Sequence, residues 1–142
     1  MRDFIAQLLN NDTVPTIGLR ALGLPADAVY SAENVDTPDT TQPFIIIRWT
    51  DRQSNFAARR APSRENLVDF WVYDKRGDFN RIDRMLNRIS QLMDAVVAQA
   101  TSTGWITQID WVGDGGDNYD DVWKAIARTA TYRVVASYTA GA

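Results

Sequence analysis

The chain has 142 residues, of which 45% are hydrophobic and 23% charged, and its formal net charge is −3. These values are typical of one globular domain, so we expect a single domain over residues 1–142. Cysteine and histidine are both absent, which excludes disulfides, thiolate metal sites and histidine-based catalysis. The slight negative charge disfavours non-specific nucleic-acid binding and favours protein partners. No apolar run is long enough to cross a bilayer, so we expect no membrane segment and assembly from the cytosol.

The N-terminal part of the chain predicts one short helix followed by connections. Phe4, Ile5, Leu8 and Leu9 recur at helical spacing within residues 3–10, which indicates a helix with one buried face. The following residues, up to Pro43, are rich in Pro and Gly. They leave room only for a turn of helix and a short strand near residues 29–32.

Two β-branched and aromatic runs predict strands with a long connection between them. The runs are FIIIRW, from Phe44 to Trp49, and LVDFWVYD, from Leu67 to Asp74. The connection over residues 50–66 is too long for a tight hairpin, and connections of this length in compact domains are usually functional or disordered. Its arginines outnumber its two acids, so we predict an exposed basic arm that carries Arg52, Arg59, Arg60 and Arg64.

A long amphipathic helix is predicted next. Asp78 is a suitable N-cap, and apolar residues recur every three or four positions from Phe79 to Val96, so the helix is expected to run to about Gln99. Leu86 and Ile89 are predicted at the centre of the core. The remaining polar side chains are interpreted as a solvated face: Arg81, Asp83, Arg84, Asn87, Arg88 and Gln91.

The last third of the chain predicts two further strands around an acidic loop. In WITQIDWV, Trp105, Thr107, Ile109 and Trp111 are expected to share one strand face. Residues 122–138 predict a long strand, or one interrupted by a bulge. The order of elements indicates an α+β fold: a largely antiparallel sheet of four to five strands, with one long and one short helix packed on it. Four tryptophans are expected to pack within this sheet, and Trp123 is left open as a stacking residue: Trp49, Trp71, Trp105 and Trp111.

The acidic loop, GDGGDNYDD over residues 113–121, raises the question of metal binding or catalysis. A calcium-binding loop of the EF-hand type needs acids at alternate positions, and here the third and seventh positions from Asp110 are Val112 and Gly116. A hydrolase could use Asp110, Asp120 and Asp121, but nothing in an exposed Gly-rich loop indicates a raised carboxyl pKa. We therefore expect a solvated turn in which Gly supplies positive φ, with no metal, no cofactor and no enzymatic activity.

Three segments resemble one family of virion proteins. They are PFIIIRW, WVYDKRGDFNRIDRMLNRI and IDWVGDGGDNYDDVWKAIARTATYRVV, within about residues 28–136. Together they resemble the tail terminator proteins of long-tailed siphophages, also called tail completion or minor tail proteins. The resemblance is closest to forms from phages of actinobacteria.

The resemblance implies a structural protein without enzymatic activity. Such a protein forms a hexameric ring that caps the tail tube, terminates its polymerisation and joins tail to head. Its partners are copies of itself, the tail tube protein and a head–neck connector protein, with no membrane and no sequence-specific nucleic acid. Its location is the tail–neck junction of a virion assembled in the host cytoplasm.

The arm and the acidic loop are the interface segments that we carry over from the resemblance. Three alternatives stay open: a head-closure or neck adaptor protein, a carboxylate hydrolase, and a stand-alone sugar- or nucleic-acid-binding module. The expected interface residues are Arg52, Arg59, Arg60, Arg64, Asp114, Asp117, Tyr119, Asp120, Asp121 and Trp123.

Overall fold

The computed structural model describes residues 2–31, 41–52, 63–75, 78–101 and 104–138, and side chains at 51, 52, 63, 64 and 138 lie outside the description. Arg59 and Arg60 also lie outside the described residues. The described chain forms two helices and seven strands, in the order α1 (Arg2–Asn10), β1 (Val29–Ser31), β2 (Phe44–Arg52), β3 (Ser63–Asp74), α2 (Phe79–Asp94), β4 (Val97–Thr101), β5 (Gly104–Asp114), β6 (Asn118–Asp120) and β7 (Ala125–Tyr138).

The strands form one mixed sheet in the order β1-β2-β3-β7-β5-β4, and β6 pairs with β7 beyond the end of β5. β1 runs parallel to β2, and the other pairs are antiparallel. The predicted α+β class is therefore confirmed, but the sheet is larger than four to five strands and is partly parallel. The additional strands are the short β4 and β6.

The segment predicted as the end of the long helix is a strand. Asp78 caps α2 as expected, since its Oδ1 accepts hydrogen bonds from the backbone N–H groups of Asn80 at 3.0 Å and Arg81 at 3.3 Å. The helix ends at Asp94, and the β-branched Val96 and Val97 begin an extended segment that pairs with β5. The apolar spacing of this short segment fits either structure, and pairing with β5 decides between them.

The core lies between α2 and the central strands. The apolar face of α2 packs against β3, β5 and β7, and Leu86 and Ile89 are buried as predicted. α1 adds Ile5 and Leu9 on the β1 side of the sheet. The same face of α2 also contributes Ile82, Met85 and Met93.

Two irregularities in β5 change which of its side chains face the core. The register with β7 shifts between Ile106 and Gln108 and again between Trp111 and Gly113, so that each shift places one extra residue in β5. A strand that gains one residue reverses its alternation of faces. The predicted shared face is therefore wrong for Trp105, which lies on the opposite face from Ile109 and is 55% exposed. It holds for Ile109 and Trp111, which pair with Val134 and Tyr132 of β7 without a shift between them, although Trp111 is 57% exposed.

The last strand is uninterrupted but starts later than predicted. β7 pairs with β3 in a continuous register over the whole of β3, so the bulges lie in β5 and not in β7. The strand begins at Ala125 because residues 121–124 form a turn, in which Lys124 has a φ of 51°.

Candidate functional site: the acidic loop and its groove

The acidic loop is more regular than the solvated turn predicted from its glycines. Gly113 and Asp114 still belong to β5, and Asn118–Asp120 form β6 against β7. The backbone N–H of Gly115 donates to the carbonyl oxygen of Thr129 at 2.8 Å. Positive φ among described glycines occurs at Gly23 and Gly104, so none of the loop glycines adopts it. The loop is a strand-like connection held against the sheet.

Most carboxylates of the loop are already engaged within the molecule. Asp114 Oδ1 accepts a hydrogen bond from Trp111 Nε1 at 3.0 Å. Asp120 Oδ1 accepts from the backbone N–H groups of Val122 at 2.9 Å and Trp123 at 3.0 Å, which holds the turn before β7. Asp121 is exposed and makes no such contact within the described part of the chain. It is therefore the loop carboxylate best placed to meet another molecule.

Arg128 attaches the loop to the long helix. Its guanidinium forms ion pairs with Asp117 of the loop and with Asp83 of α2, and it lies 5.5 Å from the ring centre of Phe79. The hydrogen bond to Asp117 and the charges of Asp83 and Asp117 raise the pKa of Arg128. Asp117, an expected interface residue, is thus neutralised by a neighbour within the same chain.

A groove of about 380 Å³ separates α2 from the acidic loop. Trp111 and Asp114 form part of one wall, Asp83 and Asn87 form part of the other, and the buried Tyr132 lies between them. An exposed indole beside carboxylates is an environment suited to cationic side chains. The remaining lining residues are Leu86, Ser90, Gly115 and Arg128.

Asp110, one of the carboxylates considered for hydrolysis, is held in its ionised form by its neighbours. Asp110 Oδ2 accepts hydrogen bonds from Arg133 at 2.7 Å and from Gln108 at 2.8 Å. The bond from Arg133, followed by the bond from Gln108 and the charge of Arg133, holds the pKa of Asp110 below its ordinary value, whereas a general acid needs a raised pKa. Among the described residues, no group of three or more acidic side chains is placed to hold a metal ion.

The division of the tryptophans into packed and exposed side chains differs from the prediction. Trp123 packs edge-on against Phe44 at 5.4 Å and Tyr73 at 5.2 Å between ring centres, so it is a packing residue and not an open stacking platform. Trp49 and Trp71 are partly buried as expected. Tyr119, by contrast, is 60% exposed at the outer side of the loop.

The basic arm is shorter than predicted. β2 continues to Arg52 and β3 begins at Ser63, and Arg52 is paired with Glu65 in the ladder. Arg52 and Arg64 therefore lie on strands, and the connection is reduced to residues 53–62, which include Arg59 and Arg60 and lie outside the described residues. These segments are strands because the β2–β3 pairing and the β3–β7 pairing both continue into them from the centre of the sheet.

Sequence reasoning missed the two buried ion pairs of α2. Arg81 binds Asp74 through two hydrogen bonds of 2.8 and 3.0 Å, and Arg88 binds Asp12 through two of 2.9 Å. Both arginines were assigned to the solvated face of the helix. A signal was available for Asp74, because the alternation of its strand places it on the same face as the apolar Val68, Phe70 and Val72.

Comparison with known proteins identifies the fold. No family model and no curated protein sequence matches the chain. Among solved structures it is similar to a chain of the "Virion of native gene transfer agent (GTA) particle", with a TM-score of 0.67 and 15% sequence identity over 94% of this chain and 91% of that chain. Within the described residues, no helix is both long and apolar enough to span a membrane.

Proposed function

We propose that the protein is a structural virion protein of the tail terminator type, which forms a ring on the phage tail tube, stops its polymerisation and provides the surface that joins tail to head. The observation that supports this most is the shared fold with a gene transfer agent virion chain along nearly the full length of both chains. The segments that resemble siphophage tail terminators agree with it. On this proposal the protein is not an enzyme, and its partners are further copies of itself, the tail tube protein and a head–neck connector protein at the tail–neck junction.

The distribution of charge supports assembly into a ring. The acidic loop and the groove beside it carry an excess of carboxylates, and the arm between β2 and β3 carries an excess of arginines in the sequence. A head-to-tail ring requires two different and complementary surfaces on each subunit. Exposed ion pairs of this kind contribute roughly 0.2 to 1 kcal/mol each, so their main effect is on register and association rate.

Native mass spectrometry with negative-stain imaging tests the ring. We expect a closed ring of about six subunits. A monomer that binds an oligosaccharide would contradict the proposal. Because a head-closure protein would also form a ring, the purified ring is then added to polymerising tail tube protein. Arrest of tube growth supports a terminator, and binding to the head–neck connector with unaffected tube growth identifies a head-closure protein.

Charge reversal tests the contact between the arm and the acidic loop. Changing Arg59 and Arg60 to Glu should weaken ring assembly, and adding Asp121→Arg should partly restore it if Asp121 is the partner. Asp120 is a less suitable partner than the sequence indicated, because its carboxylate caps the backbone of the following turn.

The matched control for this rescue is Asp94→Arg, since Asp94 is an exposed acid at the end of α2. Added to the Arg59→Glu, Arg60→Glu variant, Asp94→Arg should not restore ring assembly. Normal assembly of the Arg59→Glu, Arg60→Glu variant at low and moderate salt would show that the arm does not use this contact.

A further inference from the structure

The margin of the sheet at β4 lacks the charges and prolines that protect edge strands, although Ala98, with a φ of 50°, interrupts the extended backbone of this short strand. β4 pairs with β5 on one side, and no described strand pairs with its other side. Its sequence, VAQAT, contains no charge and no proline, Val97 is 70% exposed, and Ala98 and Ala100 are also exposed. Trp105, which is opposite Ala100 in the ladder, is exposed on the same face. An uncharged edge of this kind is a template for pairing with another strand.

The opposite margin of the sheet offers a matching segment. β1 pairs with Ile45–Ile47 of β2, and no described strand pairs with the rest of that side of β2, from Arg48 to Arg52. The outer side of β1 is occupied by α1, because Asn10 Oδ1 accepts a hydrogen bond from the Val29 N–H at 3.3 Å. The segment of β2 therefore provides the second edge.

The two edges agree in direction and in face. Four successive antiparallel pairings connect β2 to β4 through β3, β7 and β5, so β4 runs parallel to β2. In a ring generated by rotation about an axis along the strands, β4 of one copy would meet β2 of the next in a parallel pair. The registers place Thr50 and Ala100 on the same face of the sheet, the face opposite α2.

We propose that β4 of one copy pairs in parallel with Arg48–Arg52 of β2 in the next copy, so that the sheet continues from subunit to subunit. This inference rests on the proposed ring and names the strands that close it. It requires no like charges to meet, since β4 is uncharged.

Cross-linking through engineered cysteines tests the pairing, because the chain contains no cysteine of its own. The variants are Thr50→Cys, Ala100→Cys and the double variant, all at exposed positions. A short bis-maleimide should convert the double variant into a ladder of covalent oligomers up to the size of the ring, and should leave each single variant monomeric on a denaturing gel. Dimers of the Ala100→Cys variant would instead indicate two copies of β4 paired with each other and would overturn the proposal.

Native mass spectrometry of the unmodified protein separates this inference from the proposed function. A ring without a ladder in the double variant overturns the strand pairing and leaves the ring intact. A ladder together with a ring supports both, and the absence of both ring and ladder overturns both.

Introducing a charge at the edge provides a second measurement. Ala100→Lys should remove the ring from the mass spectrum, whereas Asn80→Lys, at an exposed position of α2, should leave it unchanged. Thermal melting of both variants verifies that the subunits are folded. A folded Ala100→Lys variant that still forms the ring would overturn the pairing.

Discussion

Asp12 is a buried carboxylate whose interactions connect three separate parts of the chain. It accepts two hydrogen bonds of 2.9 Å from Arg88 of α2 and one of 2.8 Å from the Leu19 N–H. Burial acts to raise the pKa of Asp12, but the hydrogen bonds from Arg88 and Leu19 and the charge of Arg88 together bring it below its ordinary value. The ionised pair thus fixes the segment after α1 against α2.

Removing Arg88 should be strongly destabilising. The Arg88→Met variant leaves the Asp12 carboxylate buried without its cation, which costs about 3 to 5 kcal/mol of unfolding free energy. The control is Arg84→Met at an exposed position of the same helix, where a change within about 0.5 kcal/mol is expected. Urea denaturation measures the unfolding free energy of both variants. Equal changes in the two would show that the buried Asp12 carboxylate is not stabilised by Arg88.

The same pair should make stability depend on pH. Because the pKa of Asp12 is lower in the folded than in the unfolded chain, its contribution is complete above the unfolded value of about 3.9. The contribution is lost as the pH falls through the lower folded value. The stability advantage of the unmodified protein over Asp12→Asn, measured by urea denaturation, should therefore be largest near neutral pH and shrink below about pH 4. An advantage that is constant down to pH 2 would contradict this.

At the scale of residues, interactions between near neighbours in the sequence could be predicted, whereas ion pairs between distant positions could not. The N-cap at Asp78 could be predicted because its effect is confined to the next three residues. The partner of Arg88 is 76 residues away, in a segment rich in Pro and Gly. No periodicity connects two such positions, so helical spacing alone placed Arg88 on the solvated face.

At the scale of elements, the apolar face of α2 is the main contribution to the core. Ile89 is fully buried, whereas Leu86 is 9% exposed and lines the groove. Ile89→Ala should therefore cost about 2 to 5 kcal/mol, and Leu86→Ala should lie near the lower end of that range because water can enter from the groove. Urea denaturation measures both, and a cost below about 1 kcal/mol for Ile89→Ala would mean that the helix is not packed on the sheet.

Arg128 is expected to hold the acidic loop in place. The Arg128→Gln variant removes the ion pairs to Asp83 and Asp117 that connect α2 with the loop. Hydrogen exchange at the backbone amides of residues 115–121 should become faster, while amides in the centre of β3 should be unaffected. Unchanged exchange in the loop would show that its pairing with β7 is sufficient.

The existence and type of the long elements could be predicted, but the pairing of short ones could not. α2, β2, β3 and β7 have strong periodic or β-branched patterns. β4 contains small residues that fit a helix as well as a strand, and it becomes a strand because β5 is beside it. The bulges of β5 likewise depend on its register with β7, and a single-residue shift was enough to place Trp105 on the face opposite Ile109 and Trp111.

At the scale of the whole molecule, the acidic loop should not act as a calcium site. Its carboxylates are directed to Trp111, Arg128 and the backbone after Asp120, and they do not converge. Thermal melting curves in millimolar calcium and in chelator should therefore coincide. A calcium-dependent shift of several degrees would contradict this prediction, since a ligand that binds the folded state raises Tm.

The exposure of the acidic loop could be predicted from the sequence, but the contacts within it could not. The loop is acidic and largely exposed, as the sequence indicated. Its groove could not be predicted, because it forms between α2, β5 and β7, which are distant in the sequence. The ion pair between Asp117 and Arg128 could not be predicted for the same reason, since the two residues meet only when β6 pairs with β7.

The position of β7 in the sheet has a consequence for synthesis of the protein. β7 lies between β3 and β5, although it follows both of them in the chain. While the ribosome is still translating β7, β3 and β5 have no common neighbour, and the strand edges that later pair with β7 remain open. The sheet can close only after the codons for Ala125–Tyr138 have been read, and until then the incomplete chain exposes two strand edges of the kind that promote aggregation. Premature stop codons before β7 should consequently yield insoluble fragments.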